Sequence, residues 1–118
     1  MDRTGSFMSV ELKHVHLNWG TTSNSGTRRR DEFEVYIPIP IDDARRLELR
    51  RGLTFYVNNQ EFKLRASGSQ AEDLGKNFES DGNLKLLGRY LKIELGAQPG
   101  DIVTIYWESN TEVSITLN

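Results

Sequence analysis

Three consecutive arginines, Arg28, Arg29 and Arg30, close a run of small polar residues, Thr21-Thr22-Ser23-Asn24-Ser25-Gly26-Thr27. A guanidinium is a planar fork of donors that grips a phosphate, or the O6 and N7 of guanine, through two parallel hydrogen bonds. One such pair of bonds to guanine is worth about 1–3 kcal/mol of discrimination. Adjacent residues of an extended backbone point to opposite sides, so at most two of these arginines are expected to enter a groove. Ser23, Asn24 and Thr27 add base-edge donors and acceptors, and Asn24 has the amide geometry to pair with adenine N6 and N7. Further along, Gly75 precedes Lys76 and Asn77. A glycine there would let the backbone approach a phosphate, with Lys76 pairing it and Asn77 reaching a base edge.

Short strands are expected to hold these groups. Residues 9–17 alternate, with Val10, Leu12, His14 and His16 on one side, and suit an edge strand because neither side is purely apolar. Trp19, between Leu17 and Gly20, is expected to anchor the polar arm that follows to the body of the domain. Phe33, Val35, Ile37 and Ile39 alternate with Glu34 and Tyr36, the period-2 pattern of a half-buried strand. Pro38 and Pro40 lack an amide donor and confine its end to a sheet edge or exit. Residues 41–49 begin with Asp42 and Asp43 and continue to Arg45 and Arg46, a charge order that suits a short helix ended by Gly52. Residues 53–57 and 61–65 flank Asn58-Asn59-Gln60 and predict a hairpin.

Residues 66–83 read as a long polar loop, a feature that in compact domains is usually functional or disordered. Residues 84–95 are expected to form a short helix or turn running into a strand. After a turn at Gln98-Pro99-Gly100-Asp101, residues 102–107 and 113–117 predict a second hairpin, with Trp107 in the core. About six to seven strands with one or two short helices make a mainly β fold, an antiparallel barrel or sandwich.

The chain has 118 residues, enough for one domain with a real core. Net charge is −2 and the pI is near 5.7, which argues against a general nucleic-acid coat but leaves room for a specific reader with segregated charge. Basic residues cluster at 28–30 and again at Arg45, Arg46, Arg50 and Arg51; acids cluster at Glu72-Asp73 and Glu79-Asp81. Cysteine is absent, which rules out disulfides and thiolate metal sites and fits a reducing compartment. No apolar run approaches the roughly 18 residues of a membrane span. Residues 1–8 are expected to be a disordered or extraneous N-terminal segment ahead of a single domain at 9–118.

Three patches, in order along most of the chain, carry a likeness to a known family. They are Leu17-Asn18-Trp19-Gly20 with the arginines and residues 34–40; Gly75-Lys76-Asn77-Phe78 with Leu87-Gly88-Arg89-Tyr90-Leu91; and Leu95-Gly96-Ala97 with Pro99-Gly100-Asp101. The chain thereby resembles the B3-like DNA-binding domain at the carboxyl end of some type II restriction endonucleases, those with a phospholipase-D-type nuclease half. The resemblance implies a seven-stranded open pseudobarrel with short helices, gripping the major groove of double-stranded DNA between two arms. The amino-terminal arm maps to residues 19–30, with Trp19, Ser23, Asn24, Thr27, Arg28, Arg29 and Arg30 at the interface. The carboxyl-terminal arm maps to residues 67–83, where Ser67, Ser69, Lys76, Asn77, Ser80 and Asn83 would contact DNA beside Arg65. This arm departs from the pattern in carrying Glu72, Asp73, Glu79 and Asp81, so phosphate contact there would rest on Lys76 and polar groups. No cofactor, metal or catalytic residue is implied for the domain itself. A nuclease domain or subunit, a monomeric isolated domain and a prokaryotic cytosol complete the expectation.

Two other readings stand beside it. Asp43 with Glu61-Phe62-Lys63 loosely matches the acidic-x-lysine pattern of metal-dependent nucleases, in which carboxylates hold magnesium and lysine orients water. A protein- or carbohydrate-binding β-domain would instead use the long polar loop. His14 and His16 at i, i+2 lack a third ligand and read as structural.

Overall fold

The structure is a computed structural model that describes residues 1–18 and 31–118. The polar arm at 19–30, and with it Trp19, Ser23, Asn24, Thr27, Arg28, Arg29 and Arg30, lies outside the described residues. The elements run β1 Phe7–Glu11, α1 His14–Leu17, β2 Ile37–Pro38, α2 Ile41–Arg46, β3 Thr54–Val57, β4 Lys63–Ser67, β5 Asn77–Ser80, α3 Lys85–Arg89, β6 Ile102–Trp107 and β7 Glu112–Leu117. A 3-10 turn, Ala71–Asp73, joins β4 to β5, and a π-helical turn, Tyr90–Glu94, continues α3.

The seven strands of the described residues form one mixed sheet in the order β1-β6-β7-β3-β4-β5-β2. Neighbours are antiparallel except β3 and β7, which run parallel through Tyr56↔Glu112 and Val57↔Val113. The two ends of the order, β1 and β2, do not pair, so the fold is mainly β with an open sheet, as an open pseudobarrel requires. Pro38 sits on the terminal strand, where its missing donor costs no ladder bond.

Alternation builds the core. Phe55 and Val57, Leu64 and Ala66, Val103, Ile105 and Trp107, and Val113 and Ile115 are buried from successive strands. Trp107 is fully buried, with Phe55 edge-on at 5.4 Å and Phe78 at 6.5 Å, so three large rings from three strands close the interior. Burying each such side chain contributes about 1.5–3 kcal/mol. Helix α2 has its acids first and its bases last, as expected, but ends at Arg46; Leu47 and Leu49 continue as a buried turn.

Four expectations change. Residues 3–8 belong to the fold. Met8 is buried in β1, and Arg3 donates from Nε to the Leu47 carbonyl (2.8 Å) and from Nη2 to that of Glu48 (3.0 Å), with its guanidinium over the Phe55 ring. The first strand stops at Glu11; the Leu12 amide and carbonyl still bond Asp101 and Gly100 just ahead of β6, and residues 14–17 then turn into α1. The loop expected at 66–83 contains β5, held on both sides by β4 and β2. Residues 90–95 do not form a strand but a π-helical turn, closed by the Leu95 amide donating to the Tyr90 carbonyl. No helix among the described residues is long and apolar enough to cross a membrane.

Candidate nucleic-acid interface

Strands β4, β5 and β2 form a strip whose two faces follow from the pleat. Leu64, Ala66, Phe78, Ser80 and Ile37 point inward and are buried. The outer face carries Lys63, Arg65 and Ser67 on β4 and Asn77 and Glu79 on β5. Register sets these side chains in opposed pairs, Arg65 across from Glu79 and Ser67 across from Asn77. The Asn77 amide donates from Nδ2 to Ser67 Oγ at 2.7 Å, which holds both side chains in one orientation on the outer face. Arg65 and Glu79 stand 3.8 Å apart, a loose surface pair worth little by itself.

Of the residues expected in the second arm, Arg65, Ser67, Ser69, Lys76 and Asn77 gather at one end of this strip. Lys76 and Ser69 are exposed beside it, and the Lys76 side chain has no ion-pair partner among the described residues. Ser80 does not join them. It is 1% exposed, its hydroxyl donates to the Asn83 carbonyl (2.8 Å) and it accepts from the Leu87 amide (3.2 Å), so it ties β5 to α3 from inside. Asn83 lies at the far end of β5, where its Oδ1 accepts from the Lys85 amide at the start of α3. Gly75 has a packing explanation in place of the phosphate approach expected for it. It is buried, and a Cβ there would stand 2.7 Å from the Ala66 Cβ.

The acids that distinguish this arm are largely matched. Arg45 meets Glu72 at 3.2 Å and Arg51 meets Asp73 at 3.3 Å, while Arg46 pairs with Asp43 at 2.8 Å. The second basic cluster of the sequence is therefore spent mostly on neighbouring carboxylates. Among the described residues beside Ser67 and Asn77, Lys76 has neither an ion-pair nor a ring partner, whereas Lys63 lies 4.6 Å over the Tyr56 ring and Arg65 faces Glu79.

The polar arm leaves the described fold after Asn18 and returns at Asp31, and its returning root is well held. Asp31 Oδ1 accepts from the Phe33 amide at 2.9 Å, and the Asp31 amide donates to Glu34 Oε2 at 2.6 Å. The Phe33 amide, helped by Lys85 at 3.6 Å, keeps the Asp31 carboxyl below its ordinary range. Lys92 Nζ donates to the Glu32 carbonyl, and Arg89 lies 5.6 Å over the Phe33 ring. Gly88 lets this segment lie directly on α3, since a Cβ there would collide with the Phe33 carbonyl oxygen. Gly88 and Arg89 belong to the Leu87-Gly88-Arg89-Tyr90 patch, where the resemblance gives them no role. The available signal was the spacing of Lys85, Arg89 and Lys92, one face of a helix, opposite the acidic pair Asp31-Glu32.

Strand direction then fixes where the two arms attach. Pro38 pairs with Asn77 and Ile37 with Phe78, so the chain enters β2 beside the α3 end of β5. The 68–76 connection leaves from the opposite end, beside α2. The outer face of the strip lies between the two attachments.

Asp43 is committed to Arg46, Lys63 to the Tyr56 ring, and Glu61 is exposed in the turn between β3 and β4. Among the described residues no group of three or more His, Cys, Asp or Glu is placed to hold a metal ion. His16 is structural in α1. Its Nδ1 accepts from the Lys13 amide at 2.9 Å, its ring meets Tyr36 edge-on at 5.2 Å, and burial, with Lys13 adding, pushes its imidazole below the ordinary value. Compared with known proteins, the chain matches no family model and no curated protein.

Proposed function

We propose that this chain is a sequence-specific reader of double-stranded DNA, and that it serves as the target-recognition domain of a restriction endonuclease. The observation that carries the reading is the outer strip of β4 and β5, with its pre-oriented Ser67–Asn77 pair and adjacent Lys76, lying between the attachments of the two arms. Arg28, Arg29 and Arg30 supply the guanidinium forks of the first arm. Asn77, Ser67, Ser69 and Lys76 supply the amide, hydroxyl and ammonium groups of the second. Phosphate contacts position such a module, and a few base-edge contacts specify its site. The open sheet provides the rigid frame, and the arm is fastened to it at Phe33 and Gly88.

Selection from a random duplex library at low salt tests the reading. A single enriched motif is expected. Replacing Arg28, Arg29 and Arg30 together by alanine is expected to abolish its retention, with the thermal midpoint measured alongside to separate lost binding from lost folding. A library that emerges without any enriched motif would refute the proposal.

A further inference from the structure

A cleft of about 610 Å³ opens between the β3–β4 turn and the helical segment formed by α3 and the π-helical turn. That volume falls within the range of roughly 300–1,000 Å³ occupied by small-molecule sites. Its floor is aromatic, with Phe62 and Tyr90 packed edge to face at 6.0 Å. The π-helical turn gives the cleft its shape, presenting Ile93 at the rim with 69% of its surface exposed. Such turns are rare and concentrate at functional sites.

Charge decides what the cleft accepts. Glu61 and Glu94 stand on its two walls, and neither has an ion-pair partner among the described residues. The third charged residue, Arg89, is already drawn over the Phe33 ring. Burial first, and the Glu94 carboxylate second, push the Tyr90 hydroxyl above its ordinary pKa. Aromatic faces and carboxylates both attract cations, and low-polarity walls strengthen the attraction. A DNA phosphate would be repelled here, so this site is separate from the strip of β4 and β5.

We propose that this cleft binds a small amphiphilic organic cation, an amine carried on an aromatic or aliphatic body. The apolar body lies against Phe62, Tyr90 and Ile93, and the ammonium group sits between Glu61 and Glu94.

Three probes of one shape and different charge test this: benzylammonium, benzyl alcohol and benzoate, each titrated into the full chain and followed by backbone amide NMR at constant salt. Benzylammonium is expected to shift amides of residues 59–62 and 89–94 saturably, binding about fivefold more tightly than benzyl alcohol, with benzoate weakest. In the double variant Glu61→Gln, Glu94→Gln, both changes being exposed and isosteric, the three affinities are expected to converge while the remaining spectrum is unchanged. The proposal is overturned if benzoate binds as well as benzylammonium, if no probe shifts these amides, or if the double variant keeps the preference.

Discussion

At Gly88 a backbone carbonyl occupies the place a side chain would need. The oxygen of Phe33 lies there, and a methyl group could be admitted only by moving the main chain of the segment that carries the polar arm back to the sheet. Main chain yields less readily than the end of a flexible side chain, and overpacking in a tight site typically costs about 1–3 kcal/mol. Gly88→Ala is therefore expected to lower stability by about 2 kcal/mol or more, read as a fall in the urea midpoint at constant slope. The same variant is expected to weaken DNA binding beyond what its stability loss explains, since Phe33 is displaced with the arm root. A variant with the wild-type midpoint would show that Phe33 is not held against α3. Ser80 illustrates the same scale in another way. The resemblance implies a DNA contact for it, yet it is buried and its hydroxyl donates to the Asn83 carbonyl and accepts from the Leu87 amide. Nothing in its neighbours announces that, because a serine at an inward strand position looks like any loop serine.

The helix α1 has only four residues, yet it is the last described element before the arm. Its start is held by the Lys13 amide donating to His16 Nδ1, a bond that exists only while that nitrogen is unprotonated. Burial first, and Lys13 second, keep the folded imidazole below its unfolded pKa of about 6.5. In the window between the two values the unfolded chain binds more protons, so stability rises with pH across it. The contribution is complete above about pH 6.5 and is lost as pH falls through the folded value. His16→Gln keeps an acceptor at this position and does not titrate. Thermal midpoints measured from about pH 5 to 8 are expected to slope less in this variant than in the parent. Equal slopes would remove His16 from the account. Elements differ in how legible they are. The β3–β4 and β6–β7 hairpins and α2 could be read because periodicity and local turn or end signals agree there. Strand β5 could not, since Asn77-Phe78-Glu79-Ser80 offers a single apolar residue and is defined by backbone bonds to β4 and β2. The parallel β3–β7 contact has no local signature at all. In residues 84–95 two periods compete. Leu87 and Leu91 are buried at helical spacing, whereas Ile93 and Leu95 alternate as strand residues would, and Ile93 is exposed.

Across the whole molecule, a net charge of −2 would seem to oppose binding to a polyanion, and the distribution of pairs shows why it need not. Arg45, Arg46 and Arg51 face Glu72, Asp43 and Asp73, which converts three of the four arginines of the second basic cluster into local neutral pairs around the 3-10 turn and α2. The cations assigned to phosphate under the DNA-reading proposal are Arg28, Arg29 and Arg30 in the arm, with Lys76 at the tip of the strip and Arg65 held loosely by Glu79. Each phosphate neutralised on duplex DNA contributes about −0.9 to the slope of log affinity against log salt. With three to five contacts the slope is expected to lie at about −3 to −4.5. Replacing the three arm arginines by alanine should flatten it by about 2 to 3, and Lys76→Ala by about 1. Arg45→Ala and Arg51→Ala should leave the slope nearly unchanged, because each removes a cation already balanced by a neighbour. Fluorescence anisotropy on the selected duplex across a salt series measures all five proteins in the same way. A slope that collapses in the Arg45 or Arg51 variants, and survives in the arm variant, would move the DNA interface from the β4–β5 strip to the α2 end of the sheet.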